Sequence, residues 1–252
     1  MGTSKRYEGR NKNPLLPSDF EDNQVNRKQN SWSSAKNFMS RYASGSSGIK
    51  GKKNAVSNYV KAYGGARGAT RTAKSGIKSA VGFVSFFSEV SEKGIEQALK
   101  DNNISFEGKK PKEILNEIVN FLAPDPNSLE NSIARKAFDN TFSSIYQKFE
   151  EENIDISVLD EIKIENTIIL LKKYIESYIY YRLILDMGYR IEQNAKSLIN
   201  AVRIEQDLKE YIEVVVNSTI NSNSITNIKK NILYQTIEEL FRLCYNVLEE
   251  QL

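Results

Sequence analysis

From Ile77 to the end of the chain, apolar residues recur at intervals of three and four, and this period constrains the fold more than any other feature. Ile77, Val81, Val84, Phe87 and Val90 share one helix face, which Phe83 and Phe86 widen. Gly94 to Asn102 reads as a helix or a helical turn. Pro111 suits the first position of a helix, where its missing N–H costs nothing. Ile114, Leu115, Ile118, Val119 and Leu122 follow on one side, before Pro124 and Pro126 end the pattern. Asn127 and Glu130 have capping-box spacing ahead of a 3–4 repeat through Ile133, Ala137, Phe138, Phe142 and Ile145. After a linker at 151–156, three long helices are predicted, over about 165–187, 194–216 and 225–250. Gly188 and an Asn/Ser cluster at 217–224 separate them. No segment alternates in the manner of a strand with turn chemistry at each end. The expected fold is all-α: a helical, bundle-like body with a basic, Gly/Ser-rich, largely extended N-terminal tail.

Charge divides the chain. The formal net charge is only +3, yet residues 1–82 hold 16 Lys/Arg against 4 Asp/Glu, and residues 83–252 hold 19 against 28. Ten of the 13 glycines also lie in residues 1–82. Three regions result: a tail at 1–30, a basic helical and Gly-rich region at 31–82, and an acidic helical body at 83–252. An acidic body can dock its own basic arm, or leave that arm to find phosphates or an acidic partner.

The tail shows no helical period, and its composition is that of a segment without fixed structure of its own. Pro14 and Pro17 favour an extended backbone in the residues before them. Tyr7, Leu15, Leu16 and Phe20 are its apolar anchors, suited to a groove on a partner or on the body. Beyond it, Trp32, Ala35, Met39 and Tyr42 recur at helical spacing, with Ser31 placed as an N-cap. A second helix carries Ala55, Val56, Tyr59, Val60 and Tyr63 and stops at Gly64-Gly65. In the stretch Ala66 to Ser79, the spacing of Arg67, Arg71, Lys74 and Lys78 puts four cations on one helix face. With Lys50, Lys52 and Lys53 nearby, this set can neutralise several phosphates of a nucleic acid, and Tyr59 and Tyr63 can stack on bases. The alternative is a solvated face, or one paired with the acidic body.

Several classes of chemistry are excluded. The chain has no histidine and one cysteine, so it holds no Ser-His or Cys-His machinery, no His-bound zinc and no internal disulfide. Ser46-Ser47-Gly48-Ile49-Lys50-Gly51-Lys52-Lys53 resembles a P-loop but fails twice. Ser46 stands where the first glycine belongs, and Lys53 stands where Ser or Thr would hold the metal. The carboxylates, among them Asp207, Glu210, Glu249 and Glu250, read as exposed helix faces, and Asp186 and Arg190 as an i, i+4 ion pair. Cys244 sits on an apolar face with Leu240, Leu243 and Val247 and is expected in the core. No cofactor, no metal and no catalytic residue is expected. The start of the chain lacks the apolar core of a signal peptide, and no apolar run is long enough to span a bilayer, so the expected location is the cytoplasm without a membrane partner. A small residue at position 2 permits removal of Met1, leaving the Gly2 α-amine. Its ordinary pKa of about 8 keeps part of it unprotonated and nucleophilic near neutral pH.

Met1-Gly2-Thr3-Ser4, Asn13-Pro14-Leu15-Leu16-Pro17, Tyr59-Val60, Gly64-Gly65-Ala66-Arg67 and Gly82-Phe83-Val84-Ser85, in this order and spacing, resemble the QatB family. Ile133-Ala134-Arg135-Lys136-Ala137-Phe138 is similar to that family's helix after a Pro-containing loop. The family is the B component of the four-gene Qat anti-phage system. The resemblance implies a defence role beside an ATPase, a QueC-like enzyme (the C component) and a TatD-like nuclease. QueC-type enzymes activate a deazapurine carboxylate with ATP and deliver it to a nitrogen nucleophile. The resemblance therefore implies that Gly2 is the acceptor, with Thr3, Ser4, Tyr7, Leu15, Leu16 and Phe20 in the partner's channel. The competing expectation is a nucleic-acid-binding adaptor that uses the basic first third.

Overall fold

The computed structural model describes residues 32–151, 157, 164–220 and 232–250. The tail at 1–30 and the proposed cap Ser31 lie outside the described residues. Ten α-helices and no strand occur among the described residues. They are α1 (Trp32–Ala43), α2 (Gly51–Ala62), α3 (Gly65–Arg71), α4 (Lys74–Lys93), α5 (Ile95–Asp101), α6 (Pro111–Leu122), α7 (Leu129–Glu151), α8 (Ile164–Asn194), α9 (Leu198–Thr219) and α10 (Leu233–Glu250).

The apolar period places the core. On α4, Ile77, Phe83, Val84, Phe87 and Val90 are buried, and on α6 Ile114, Leu115, Ile118, Val119 and Leu122 are. On α7, Ile133, Ala134, Ala137, Phe138 and Phe142 point inward. Phe138 lies 4.4 Å, ring to ring, from Tyr174 of α8, and Phe83 lies 4.9 Å from Phe87. Lys136 sits 4.7 Å over the Tyr181 ring and Asn140 Nδ2 donates to Ser177 Oγ at 2.7 Å, so α7 and α8 run antiparallel. One cluster of buried residues runs from Ala35 to Leu248. α4 passes without a break through residue 82, where the composition changes. Cys244 is fully buried, and burial pushes its thiol up to about 12.

Two local expectations are corrected. Gly188 does not separate helices, because α8 continues through it to Asn194. Glycine in a helix interior costs only about 1 kcal/mol, which packing overrides. Met187 and Ile191 on either side are fully buried. The next helix instead starts at Ser197, whose side chain accepts from Asn200 N. Likewise α7 is capped by Ser128, whose Oγ accepts from Asn131 N at 3.2 Å, rather than by Asn127. No helix among the described residues is long and apolar enough to cross a membrane.

Candidate functional site

The seam between the basic region and the acidic body is where the polar chemistry concentrates. The N-cap residues of α2, α3 and α4 are Lys50, Gly64 and Ala73, and none of these supplies a side-chain cap. Distant carboxylates cap two of them. Glu249, near the end of α10, accepts from Ala66 N at 2.7 Å at the start of α3. Glu130 of α7 accepts from Ser75 N at 2.6 Å at the start of α4. Helix N-termini carry unsatisfied N–H groups and partial positive charge, so a carboxylate there is favourable. Gly64 and Gly65 both have φ in the left-handed region, +90° and +77°. A Cβ on Gly65 would stand 2.9 Å from both Glu249 carboxylate oxygens. Glycine there is what lets the carboxylate approach.

A buried arginine completes the seam. Arg182 of α8 is 6% exposed. Its guanidinium donates to Ala69 O at 3.0 Å, Thr72 Oγ1 at 2.5 Å and Tyr245 Oη at 3.4 Å. It lies 4.1 Å from the Tyr63 ring centre. One turn on, Asp186 Oδ2 accepts from Tyr59 Oη at 2.9 Å and Tyr63 Oη at 2.7 Å. The expected Asp186–Arg190 pair is therefore corrected: the Asp186 carboxylate faces the two tyrosines. Burial holds both phenols above their ordinary range, and the Asp186 carboxylate adds to this, while Arg182 opposes it. Both stay protonated donors at neutral pH. Trp32 packs edge-on, 4.9 Å from the Tyr63 ring and 6.0 Å from that of Tyr59. The group ties α1, α2, α3, α8 and α10 together.

Asp207 of α9 makes a second tie. It accepts from Lys52 Nζ at 2.5 Å and from Tyr42 Oη. Burial raises its pKa, but these two hydrogen bonds outweigh burial and hold the carboxyl below its ordinary value. Asp207 and Glu249, expected as exposed faces, thus join the two charge regions.

The predicted cations are sorted by this seam. Lys52 is engaged by Asp207 and lies 5.7 Å from the Tyr211 ring, and Lys53 is half-buried and has a partner. Lys50 is exposed. Arg67, Arg71, Lys74 and Lys78 are all exposed, and none makes an ion pair among the described residues. They do not share one helix. α3 ends at Arg71 and α4 begins at Lys74. Between them Ala73 N bonds Thr70 O rather than Ala69 O, and Ala69 O accepts instead from Arg182 and from Thr72 Oγ1. Tyr59 is buried and cannot stack on a base. Gly2, Thr3, Ser4, Tyr7, Leu15, Leu16 and Phe20 lie outside the described residues. No group of three His, Cys, Asp or Glu side chains is placed to hold a metal among the described residues.

Sequence reasoning missed Arg182, Asp186, Glu130 and Glu249 as a set. The one available signal was Arg182 itself, a charge inside the apolar run Ile175 to Leu185. A family model described as "Qat anti-phage system associated protein QatB" matches residues 64–248. No curated protein and no solved structure matches the chain.

Proposed function

The chain belongs to the QatB family, associated with the Qat anti-phage system, and from that premise we propose that it is a non-catalytic subunit whose tail is the substrate or ligand of a QueC-like partner enzyme. The supporting observation is the use made of its body. Carboxylates that could have served catalysis cap helices and hold tyrosines along the seam, and Arg182 donates to three protein acceptors. With no histidine in the chain, the reactive group on offer is the Gly2 amine, which precedes the matched residues. In the proposed step, the partner supplies a deazapurine carboxylate activated as its adenylate. The Gly2 nitrogen attacks the carboxyl carbon, a C–N bond forms, the C–O bond to AMP breaks, and one amine proton passes to solvent. The ATPase and the TatD-like nuclease complete the proposed set of partners, acting in the cytoplasm.

Intact mass of the full chain, co-expressed with the C component, tests this. An added mass on the Gly2 peptide is expected. An unchanged mass with a free Gly2 amine overturns it. Deleting residues 2–20 is expected to abolish defence while leaving the fold intact.

A second reading is favoured by the four exposed, unpaired cations Arg67, Arg71, Lys74 and Lys78. They suit contact with a nucleic acid, and Lys50 is exposed as well. Binding that falls steeply with salt and weakens in Arg67→Ala/Arg71→Ala supports this reading. Retained defence without the tail would favour it over the first.

A further inference from the structure

The closed end of the α8–α9 hairpin carries large apolar side chains that nothing in the described chain covers. Leu185 and Tyr189 lie four residues apart on α8 and are 51% and 67% exposed. Leu198, Ile199 and Val202 open α9 and are 81%, 82% and 67% exposed. Isolated exposed apolar residues are ordinary, but three neighbouring large ones on one helix turn, Leu198, Ile199 and Val202, mark a surface that is covered in use.

The fold limits which segment of this chain can cover it. The segment 152–163 is tied to α8 at Ile164. Leu185 lies 21 residues along that helix, about 32 Å away. Twelve residues span about 40 Å fully extended, too little to go there and return. The segment 221–231 starts after Ile220, about 27 Å along α9 from Val202, and must come back to Leu233. It fails in the same way. Residues 1–31 differ, because their junction with the fold at Trp32 is close. α1 starts at Trp32, whose ring packs on Tyr63, and the Tyr63 hydroxyl bonds Asp186, the neighbour of Leu185. The chain therefore meets the fold near Asp186, toward the closed end of the hairpin. From Phe20 to Trp32 it can span about 40 Å, while Asp186 to the end of α8 is only about 12 Å.

We propose that the N-terminal segment of this same chain docks here, with Leu15, Leu16 and Phe20 seated on Leu198, Ile199 and Val202, which share one stripe of the first turn of α9. Pro17 favours an extended backbone at Leu16. The docked tail leaves Gly2 beyond its anchor, at the hairpin end. The proposal holds whether or not Gly2 is modified, because it uses residues 15–20 and a surface of the body.

A photo-crosslink in the full chain tests it. Cys244 is buried, so in Ser18→Cys the new thiol alone takes a benzophenone maleimide on the folded protein. Irradiation is expected to give monomeric products with crosslinks on the peptides spanning 185–202. Ile199→Asp/Val202→Asp, at exposed positions that keep the helical circular dichroism, is expected to cut that yield at least about fivefold, the effect of losing one good apolar anchor. Crosslinks on other parts of the body, crosslinks only between two molecules, or a yield unchanged by the double substitution would each overturn the proposal. An unmodified Gly2 together with the expected crosslinks would remove the modification and leave the docking standing.

Discussion

Two glycines in helices make opposite predictions for one substitution. Glycine to alanine in a helix interior ordinarily stabilises by about 0.5–1 kcal/mol, because it removes freedom from the unfolded chain. At Gly188 a new Cβ would have Ile184 Cγ2 as its nearest neighbour, at 3.4 Å, an ordinary contact. Gly188→Ala should therefore realise most of that gain. At Gly76 the Cβ would meet three ring atoms of Tyr178 at 2.5, 2.7 and 2.8 Å. Carbon atoms rest at about 3.5–4.0 Å, so the ring must move by about 1 Å. It has little room. Tyr178 is fully buried, lies 5.5 Å from the Phe241 ring and reaches Glu130 through its hydroxyl at 3.4 Å. Gly76 O also accepts from Tyr174 Oη at 3.2 Å, which pins the helix against α8. Overpacking of this kind costs about 1–3 kcal/mol. The two variants should thus lie on either side of the parent, separated by about 2–4 kcal/mol. Urea unfolding followed by circular dichroism at 222 nm measures this, and melting should follow at roughly 2–4 °C per kcal/mol for a chain of this size. If Gly76→Ala stabilised the fold, or if both variants shifted it equally, the close approach of α4 to Tyr178 would be refuted.

Arg182→Met should cost about 1–3 kcal/mol, because it removes the charged donor from the buried Ala69 carbonyl. Arg182→Lys should recover only part of this, since an ammonium lacks the planar fork. Trp32, the only tryptophan, packs on Tyr63 and should report the loss by its fluorescence. Asp207→Asn should lower stability at neutral pH, by no more than about 1 kcal/mol for a part-exposed, salt-screened pair. Its sign against pH is set by a folded-state pKa below the unfolded value of about 3.9. The Asp207 contribution is complete above that value and is lost as pH falls through the lower folded one. The gap between parent and Asp207→Asn should be constant from pH 5 to 8 and close toward pH 2. The Cys244 thiol should stay unreactive to a disulfide reagent at pH 8 in the folded protein. It should react along the same urea transition that dichroism follows; early reaction would place it outside the core.

The all-α class, the start of α6 at Pro111, the inward faces of α4, α6 and α7 and the burial of Cys244 were all legible in the chain. Each is a local matter: a helix face is set by residues three and four apart, and a proline acts on its own turn. The charge division between residues 1–82 and 83–252 was equally legible, since it needs only counting. What joins the two regions was not. Ala66 meets Glu249 across 183 residues, Tyr59 meets Asp186 across 127, and Lys52 meets Asp207 across 155. No periodicity carries partnerships over such separations. They also change how nearby residues read. Arg182 bonds the Ala69 carbonyl where the basic stripe breaks between α3 and α4, and packing around Met187 and Ile191 carries α8 through Gly188. The sequence by itself determined which faces are apolar and where charge accumulates, because those follow from order along the chain. Only the tertiary structure decided which charges are engaged and which stay free, because a carboxylate's role depends on the donor that packing places against it.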